Sequence, residues 1–316
     1  MSVEEIGTAR ERAAQHVFRT PLLRSRELSE QTGSQVWLKA ENLQHTGAFK
    51  VRGAINAVLS LTPDERWAGA ITVSAGNHGM ALSFAGRVSG VHVTVVMPDT
   101  AVKAKVAAVE RYGGKVILTN GTRLMETMEN VQRVGGQTFI HPFDRPEVIA
   151  GQGTVGLEIA EDMPDVQAVI VPVGGGGLIS GVATAMKSLV PSALVIGVEP
   201  EGSTAVSRSL AAGEPVRLEA FATVADGLNA PWAGPNSLSI IQRLVDRVVT
   251  VSDNEIVAAL ARIARHANLI VEPAGAAAVA ALLSGRLPEL IGKRVVAILS
   301  GGNVDGDRLA HFLVEA

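Results

Sequence analysis

The chain predicts a two-domain α/β protein with mostly parallel sheets, and three observations carry the prediction. Short β-branched runs alternate with longer helix-patterned segments over most of the length. Several runs, Ala168–Val173 and Val295–Leu299 among them, are apolar throughout, as in strands covered on both faces. With 316 residues, 47% of them apolar, the chain has material for two buried cores.

In chain order, Gln35–Lys39 reads as the first strand. The amphipathic helix after it opens at about Lys50, with its clearest helical spacing over Ala54–Ser60. Three βα units follow. They pair Ala70–Ser74 with His78–Val88, His92–Met97 with Ala101–Tyr112, and Lys115–Leu118 with Arg123–Val134. A helix over Val148–Asp162 precedes the strand Ala168–Val173, the helix Ile179–Leu189 and the strand Leu194–Glu199. The strand Arg247–Val251 leads to a helix over Asp253–His266, with Asp253 as its expected N-cap. A helix over Gly275–Ser284, the strand Val295–Leu299 and a short last helix complete the set. The units from Ala70 to about Pro142 can close on themselves. Residues 69–146 are therefore expected as a small domain, and 1–68 with 147–316 as a large one, with His141–Pro146 as the return crossing.

Composition narrows the function. A net charge of −3 without basic runs gives no reason to expect nucleic acid. The absence of cysteine excludes disulfides, thiolate metal sites and a cysteine nucleophile. No apolar run is long enough to span a membrane, and the charged start is unlike a signal peptide, so a cytoplasmic protein is expected.

Lys50 stands in E-N-L-Q-H-T-G-A-F-K-V-R-G (Glu41–Gly53), between Phe49 and Val51. Burial lowers a lysine's pKa, and a neutral amine forms a Schiff base with a carbonyl. Taken alone, Lys50 also reads as a surface helix lysine. Four strand-end loops supply its company. Ser74–Gly79 (S-A-G-N-H-G) opens a helix and offers amides for an anion and the amide of Asn77 for a ring oxygen, or else is an ordinary turn. Gly174, Gly175, Gly176 and Gly177 before Leu178 offer a nest for a phosphate. They match neither the P-loop nor G-x-G-x-x-G, although Glu199 imitates a ribose-binding acid and keeps a dinucleotide reading open. Leu299–Asn303 (L-S-G-G-N) presents Ser300. Val271–Ala276 (V-E-P-A-G-A) carries Glu272, read as a first-turn carboxylate favoured by the helix dipole. A phosphate, an aldehyde carbon and polar ring atoms occur together in pyridoxal 5′-phosphate.

With these residues in view, the chain resembles the fold-type II pyridoxal-phosphate enzymes, in the branch of threonine/serine dehydratases and serine racemases. The resemblance extends through R-T-P-L (Arg19–Leu22), Lys39–Gly53, G-Q-G-T-V-G-L-E (Gly151–Glu158), G-V-E-P (Gly197–Pro200) and A-D-G-L (Ala225–Leu228), together with the four loops. It implies Lys50 as the Schiff-base lysine, Phe49 as a ring-packing neighbour, Gly174–Gly177 and Leu178 on the phosphate, and Ser300 at the pyridine nitrogen. Asn77 falls to the ring oxygen, and Ser74, Ala75, Gly76, Asn77 and His78 to the substrate carboxylate. The implied reaction is β-elimination from L-threonine or L-serine, giving 2-oxobutanoate or pyruvate and ammonia. The resemblance also implies a homodimer.

Three departures qualify the resemblance. Racemases of the branch carry a serine as second base where this chain has Ala75, so elimination is favoured over racemisation. Members that bind a divalent cation have an Asp six residues after the Glu of G-V-E-P. Here that position is Ala205, which leaves Glu199 as a lone candidate ligand. No regulatory domain follows S-G-G-N, so feedback by isoleucine is not expected. Arg123 lies near a racemase arginine and keeps an open role, as does His78. Asn229, Ala230 and Trp232 are expected near the substrate side chain. The alternatives are a dehydratase of another β-hydroxy amino acid, such as 3-hydroxyaspartate or a hydroxyectoine-pathway intermediate. Outside the class stand a nucleotide-binding oxidoreductase and a non-catalytic ligand-binding protein.

Overall fold

A computed structural model describes residues 1–315. The chain runs α1 (Val3–Ala13), β1 (Leu22–Ser25), α2 (Arg26–Thr32), β2 (Gln35–Ala40), α3 (Lys50–Leu59), α4 (Pro63–Ala68) and β3 (Ala70–Val73). It continues α5 (Asn77–Ser89), β4 (Val93–Pro98), α6 (Lys103–Arg111), β5 (Lys115–Thr119), α7 (Leu124–Gly135), β6 (Thr138–Phe139), α8 (Pro146–Asp162) and β7 (Ala168–Pro172). The last part is α9 (Gly177–Leu189), β8 (Leu194–Pro200), α10 (Ala205–Ala212), α11 (Pro235–Leu244), β9 (Arg247–Val251), α12 (Asp253–Arg262), α13 (Pro273–Leu283), β10 (Arg294–Leu299) and α14 (Gly306–Glu315).

Two sheets form. Six strands lie in the order β1-β2-β10-β7-β8-β9, and four in the order β5-β4-β3-β6. All pairs are parallel except β1 with β2, an antiparallel edge pair that the expectation of parallel strands missed. Side-chain alternation explains the layers. In β10, Val295, Ala297 and Leu299 pack on the face shared with Ile256, Leu260 and the alanines of α13. Val296 and Ile298 pack on the other face, with Val155, Ile179 and Val182. The four-stranded sheet does the same: Val93, Val95 and Met97 face Val51, Ile55 and Leu82, while Val96 and Ile71 face Met128.

Several local expectations need correction. The N-cap of α12 is Ser252, which forms a capping box with Glu255. Asp253 instead accepts hydrogen bonds from the Val224 amide and the Thr223 hydroxyl. The segment Ile263–Ala267 leaves the α pattern as a π turn and ends at Asn268, whose φ is 54°. Helices α1, α2, α4, α10 and α11 and strand β6 escape the sequence pattern. Most are short, and α1 has a charged sequence with only Ile6, Ala9 and Ala13 buried.

Candidate active site

A cleft of about 1310 Å³ opens at the C-terminal ends of strands from both sheets. Lys50 reaches it from the loop after β2. Thr46 turns that loop in a left-handed conformation (φ 62°), which is strained for a β-branched residue. Ala48 then bridges Gly301, and the Phe49 amide donates to the Ser300 carbonyl at 3.1 Å. These contacts stitch the Lys50 and Ser300 loops together before α3 begins. The Lys50 Nζ donates to the Pro142 carbonyl at 2.9 Å and lies 5.2 Å from the Phe49 ring centre. Burial pulls its pKa from the ordinary 10.5 down to about 8, with the Glu272 carboxylate opposing the shift.

Two residues beyond Lys50, Arg52 anchors the same turn of helix. Its side chain is buried between Glu41, at 2.7 Å from Nε, and Glu158, at 2.6 Å from Nη1. Glu158 also binds Lys39 Nζ at 2.5 Å, and Thr20 and Thr154 hydrogen-bond within the cluster. The motif residues around Lys50 thus form a buried ionic knot tying α3 to β2 and α8. Paired charges of this kind are costly to leave half-made.

Opposite Lys50 stands the glycine loop. Gly176 is the N-cap of α9 with φ 98°, and no side chain caps that helix, so its first amides lack an intrahelical partner. A Cβ at Gly175 would overlap the Phe143 ring, and one at Gly177 would overlap the Phe143 carbonyl. A Cβ at Gly174 would come within 3.1 Å of the Leu228 carbonyl. These glycines therefore also let the His141–Arg145 turn pack against the loop, a packing role the sequence does not reveal. Leu178 is buried and lines the cleft beside them.

Ser74, Ala75, Gly76, Asn77 and His78 form another wall. The Ser74 hydroxyl accepts from the amides of Gly76 (3.3 Å) and Gly79 (3.1 Å), which fixes the loop at the start of α5. Asn77 Nδ2 donates to Glu272 Oε1 at 2.7 Å, while Asn77 Oδ1 accepts from Asn303 Nδ2 at 2.9 Å. Glu272 is thus more than a helix-start acid. It is buried, faces Asn77, and has its pKa raised to about 7 by desolvation, with the Asn77 hydrogen bond acting against that shift. Ser300 is buried on the cleft wall, and its hydroxyl makes only a long 3.4 Å contact with the Ala274 carbonyl.

The histidines divide. His78 is buried and its Nε2 is 3.2 Å from the Ile140 carbonyl. Desolvation first and the Lys50 charge second hold it near a pKa of 3, and its Nδ1 has no partner among the described residues. His141, which the sequence presents only as part of a linker, also lines the cleft. Asn229, Ala230 and Trp232 lie on the cleft wall, and the Asn229 Oδ1 is buried without a partner among the described residues. Arg123 is not on the wall; it pairs with Glu126 at 2.9 Å on the surface. Glu199 is also elsewhere. Its carboxylate accepts from the amides of Val206 (2.7 Å) and Ser207 (2.9 Å) and from the Ser207 hydroxyl, capping α10. No group of three or more metal-binding side chains occurs among the described residues.

An uncapped helix start, a lysine with a depressed pKa, a buried serine hydroxyl and the Asn77 amide fit a phosphorylated aldehyde with polar ring atoms. Comparison with known proteins agrees. The chain is 42% identical over 315 residues to an L-threonine ammonia-lyase of Thermotoga maritima, covering 99% of this chain and 78% of that protein. It is 41% identical over 316 residues to a catabolic L-threonine dehydratase of Escherichia coli (strain K12), covering 99% and 96%. Among solved structures, a threonine deaminase from Solanum lycopersicum superposes with a TM-score of 0.93 at 34% identity, covering 100% of this chain and 94% of that one. A serine racemase from Dictyostelium discoideum gives a TM-score of 0.91 at 38% identity, covering 96% of this chain and 99% of that one. Residues 13–301 match the family of pyridoxal-phosphate dependent enzymes, and the chain belongs to that family.

Proposed function

We propose that the chain is a pyridoxal-phosphate-dependent ammonia-lyase that dehydrates L-threonine, and L-serine as well. The observation that carries this is the joining of Lys50, with its lowered pKa, to the uncapped start of α9 across one cleft. When bound, the cofactor supplies an aldehyde carbon for Lys50 and an electron-withdrawing ring that acidifies the substrate's Cα–H.

The chain's own residues do the rest. The amides of Gly174, Gly175, Gly176, Gly177 and Leu178 would hold the phosphate, Phe49 would pack on the ring, and the Asn77 amide would bind the ring oxygen. The Ser300 hydroxyl would meet the ring nitrogen as a neutral partner, which would leave the ring a mild electron sink and suit elimination better than transamination. The loop of Ser74, Ala75, Gly76, Asn77 and His78 orients the substrate carboxylate at the start of α5. Lys50 is the base that takes the proton from Cα. Ala75 offers a methyl group and returns no proton, so the reaction is one-sided.

Residues 69–146 serve as the small domain, and 1–68 with 147–316 as the large one. A homodimer in the cytoplasm completes the proposal on the strength of the family resemblance; light scattering and cell fractionation test it. No described helix is long and apolar enough to cross a membrane. The dinucleotide reading loses its acid, because Glu199 spends both carboxylate oxygens on the first amides of α10. A substrate panel decides the rest. Purified protein supplied with cofactor should release 2-oxobutanoate and ammonia from L-threonine faster than the corresponding 2-oxo acids from 3-hydroxyaspartate or bulkier hydroxy amino acids. Absence of 2-oxobutanoate with cofactor bound overturns the assignment.

A further inference from the structure

We propose that His141 is a catalytic hydrogen-bond donor, presenting its Nε2–H to the departing β-hydroxyl oxygen of the substrate. The inference rests on the dehydratase reading above and assigns it a further residue.

The argument starts from the turn that follows β6. His141 Nδ1 accepts two backbone amides, Phe143 at 3.3 Å and Asp144 at 3.0 Å. Both need the lone pair on that nitrogen, so a neutral ring must carry its single proton on Nε2. The ring is held by edge contacts with Phe143 (4.5 Å between centres, 88°) and Phe139 (5.8 Å, 82°), with Trp232 at 6.5 Å. Asp144 is itself anchored, accepting from the Ser237 amide at 2.9 Å, so the turn is fixed to α11. His141 Nε2 has no hydrogen-bond partner among the described residues. In His78, by contrast, the corresponding N–H is spent on Ile140.

Position supplies the target. The next residue, Pro142, holds Lys50 Nζ through its carbonyl, and Trp232, expected beside the substrate side chain, stands across from the ring. A donor here lies near the base and on the side-chain wall, where the β-substituent of an amino acid would sit.

Charge supplies the role. Desolvation first, then the Lys50 charge, hold His141 near a pKa of 4 against the pull of Asp144, so the ring is neutral at physiological pH. A neutral imidazole donates a hydrogen bond without giving up its proton, as a preorganised dipole aimed at developing negative charge. In the elimination, Lys50 removes the Cα proton and the C–H electron pair becomes the Cα=Cβ bond. The Cβ–O pair leaves with oxygen, which takes the proton now held on the Lys50 ammonium and departs as water. One proton is taken and one returned, and the His141 proton stays on Nε2 throughout.

The test compares leaving groups on one carbon skeleton. His141→Asn is the chosen variant, because its Oδ1 can replace Nδ1 as acceptor for the turn amides while the distal N–H is lost. With L-serine, kcat should fall by about 10²-fold, the usual effect of losing one preorganised donor, while with β-chloro-L-alanine it should stay within about threefold. Chloride leaves unaided and accepts hydrogen bonds weakly. A second readout needs no turnover: ¹⁵N NMR of the wild-type imidazoles should show His141 protonated on Nε2 alone. Equal losses on both substrates, no loss on serine, or a proton on Nδ1 overturns the proposal. A wild-type protein inactive on both substrates would instead overturn the dehydratase reading.

Discussion

The pH at which Lys50 captures an aldehyde is set by its surroundings. Burial takes its pKa from 10.5 to about 8. At pH 7 about one amine in ten is then neutral, against about one in three thousand for an ordinary lysine, a gain of roughly 300-fold in reactive base. Glu272 works against this gain, because its carboxylate favours the charged amine. Replacing Glu272 with Gln removes that support for the ammonium, so the midpoint should drop below about 8. The assay is stopped-flow capture of pyridoxal phosphate by cofactor-free protein, read as Schiff-base absorbance from about pH 6 to 10. For the wild type, the capture rate should rise with pH through a midpoint near 8 and then level off. A rate still climbing at pH 10 would show an ordinary exposed lysine, and a midpoint moved upward in Glu272→Gln would refute the coupling.

Three other expectations follow from the same geometry. Arg52→Met leaves Glu41 buried without a cationic partner and Glu158 with Lys39 alone, and should cost about 3–5 kcal/mol in urea unfolding; a loss below about 1 kcal/mol would mean the knot is not holding α3. Gly175→Ala pushes against the Phe143 ring, an overpacking cost of about 1–3 kcal/mol that should weaken cofactor binding tenfold or more in a fluorescence titration. Gly7→Ala, with open space at its Cβ within α1, should leave binding unchanged and serves as the control. Ala75→Ser restores a hydroxyl where related racemases have one and should raise D-serine formation relative to pyruvate; an unchanged ratio on chiral chromatography removes Ala75 from the account.

The βα rhythm is legible in the sequence because buried parallel strands such as Ala168–Pro172 and Arg294–Leu299 are apolar on both faces. β1 is hidden for the opposite reason: it is an edge strand, its two central residues are exposed, and Leu-Leu-Arg-Ser does not alternate cleanly. The site's outline is legible where chemistry requires backbone, as in Gly174–Gly177, or a rare residue in apolar company, as in Lys50. Partnerships between distant residues are not. That Glu272 answers Asn77 and that Arg52 is clasped by Glu158 depend on separations of 195 and 106 positions, which no local pattern encodes. His141 reads as linker because Pro142, Asp144 and Pro146 surround it, and only the amides on its Nδ1 reveal which nitrogen faces outward.

The central claim is that Lys50 alone carries the cofactor, and borohydride reduction tests it most directly. Holoenzyme reduced, digested and read by mass spectrometry should carry one phosphopyridoxyl group, on the peptide containing Lys50, and the Lys50→Ala protein should carry none while still binding cofactor noncovalently. A phosphopyridoxyl group on Lys105 or any other lysine, or no modified peptide from protein that contains cofactor, would contradict the account.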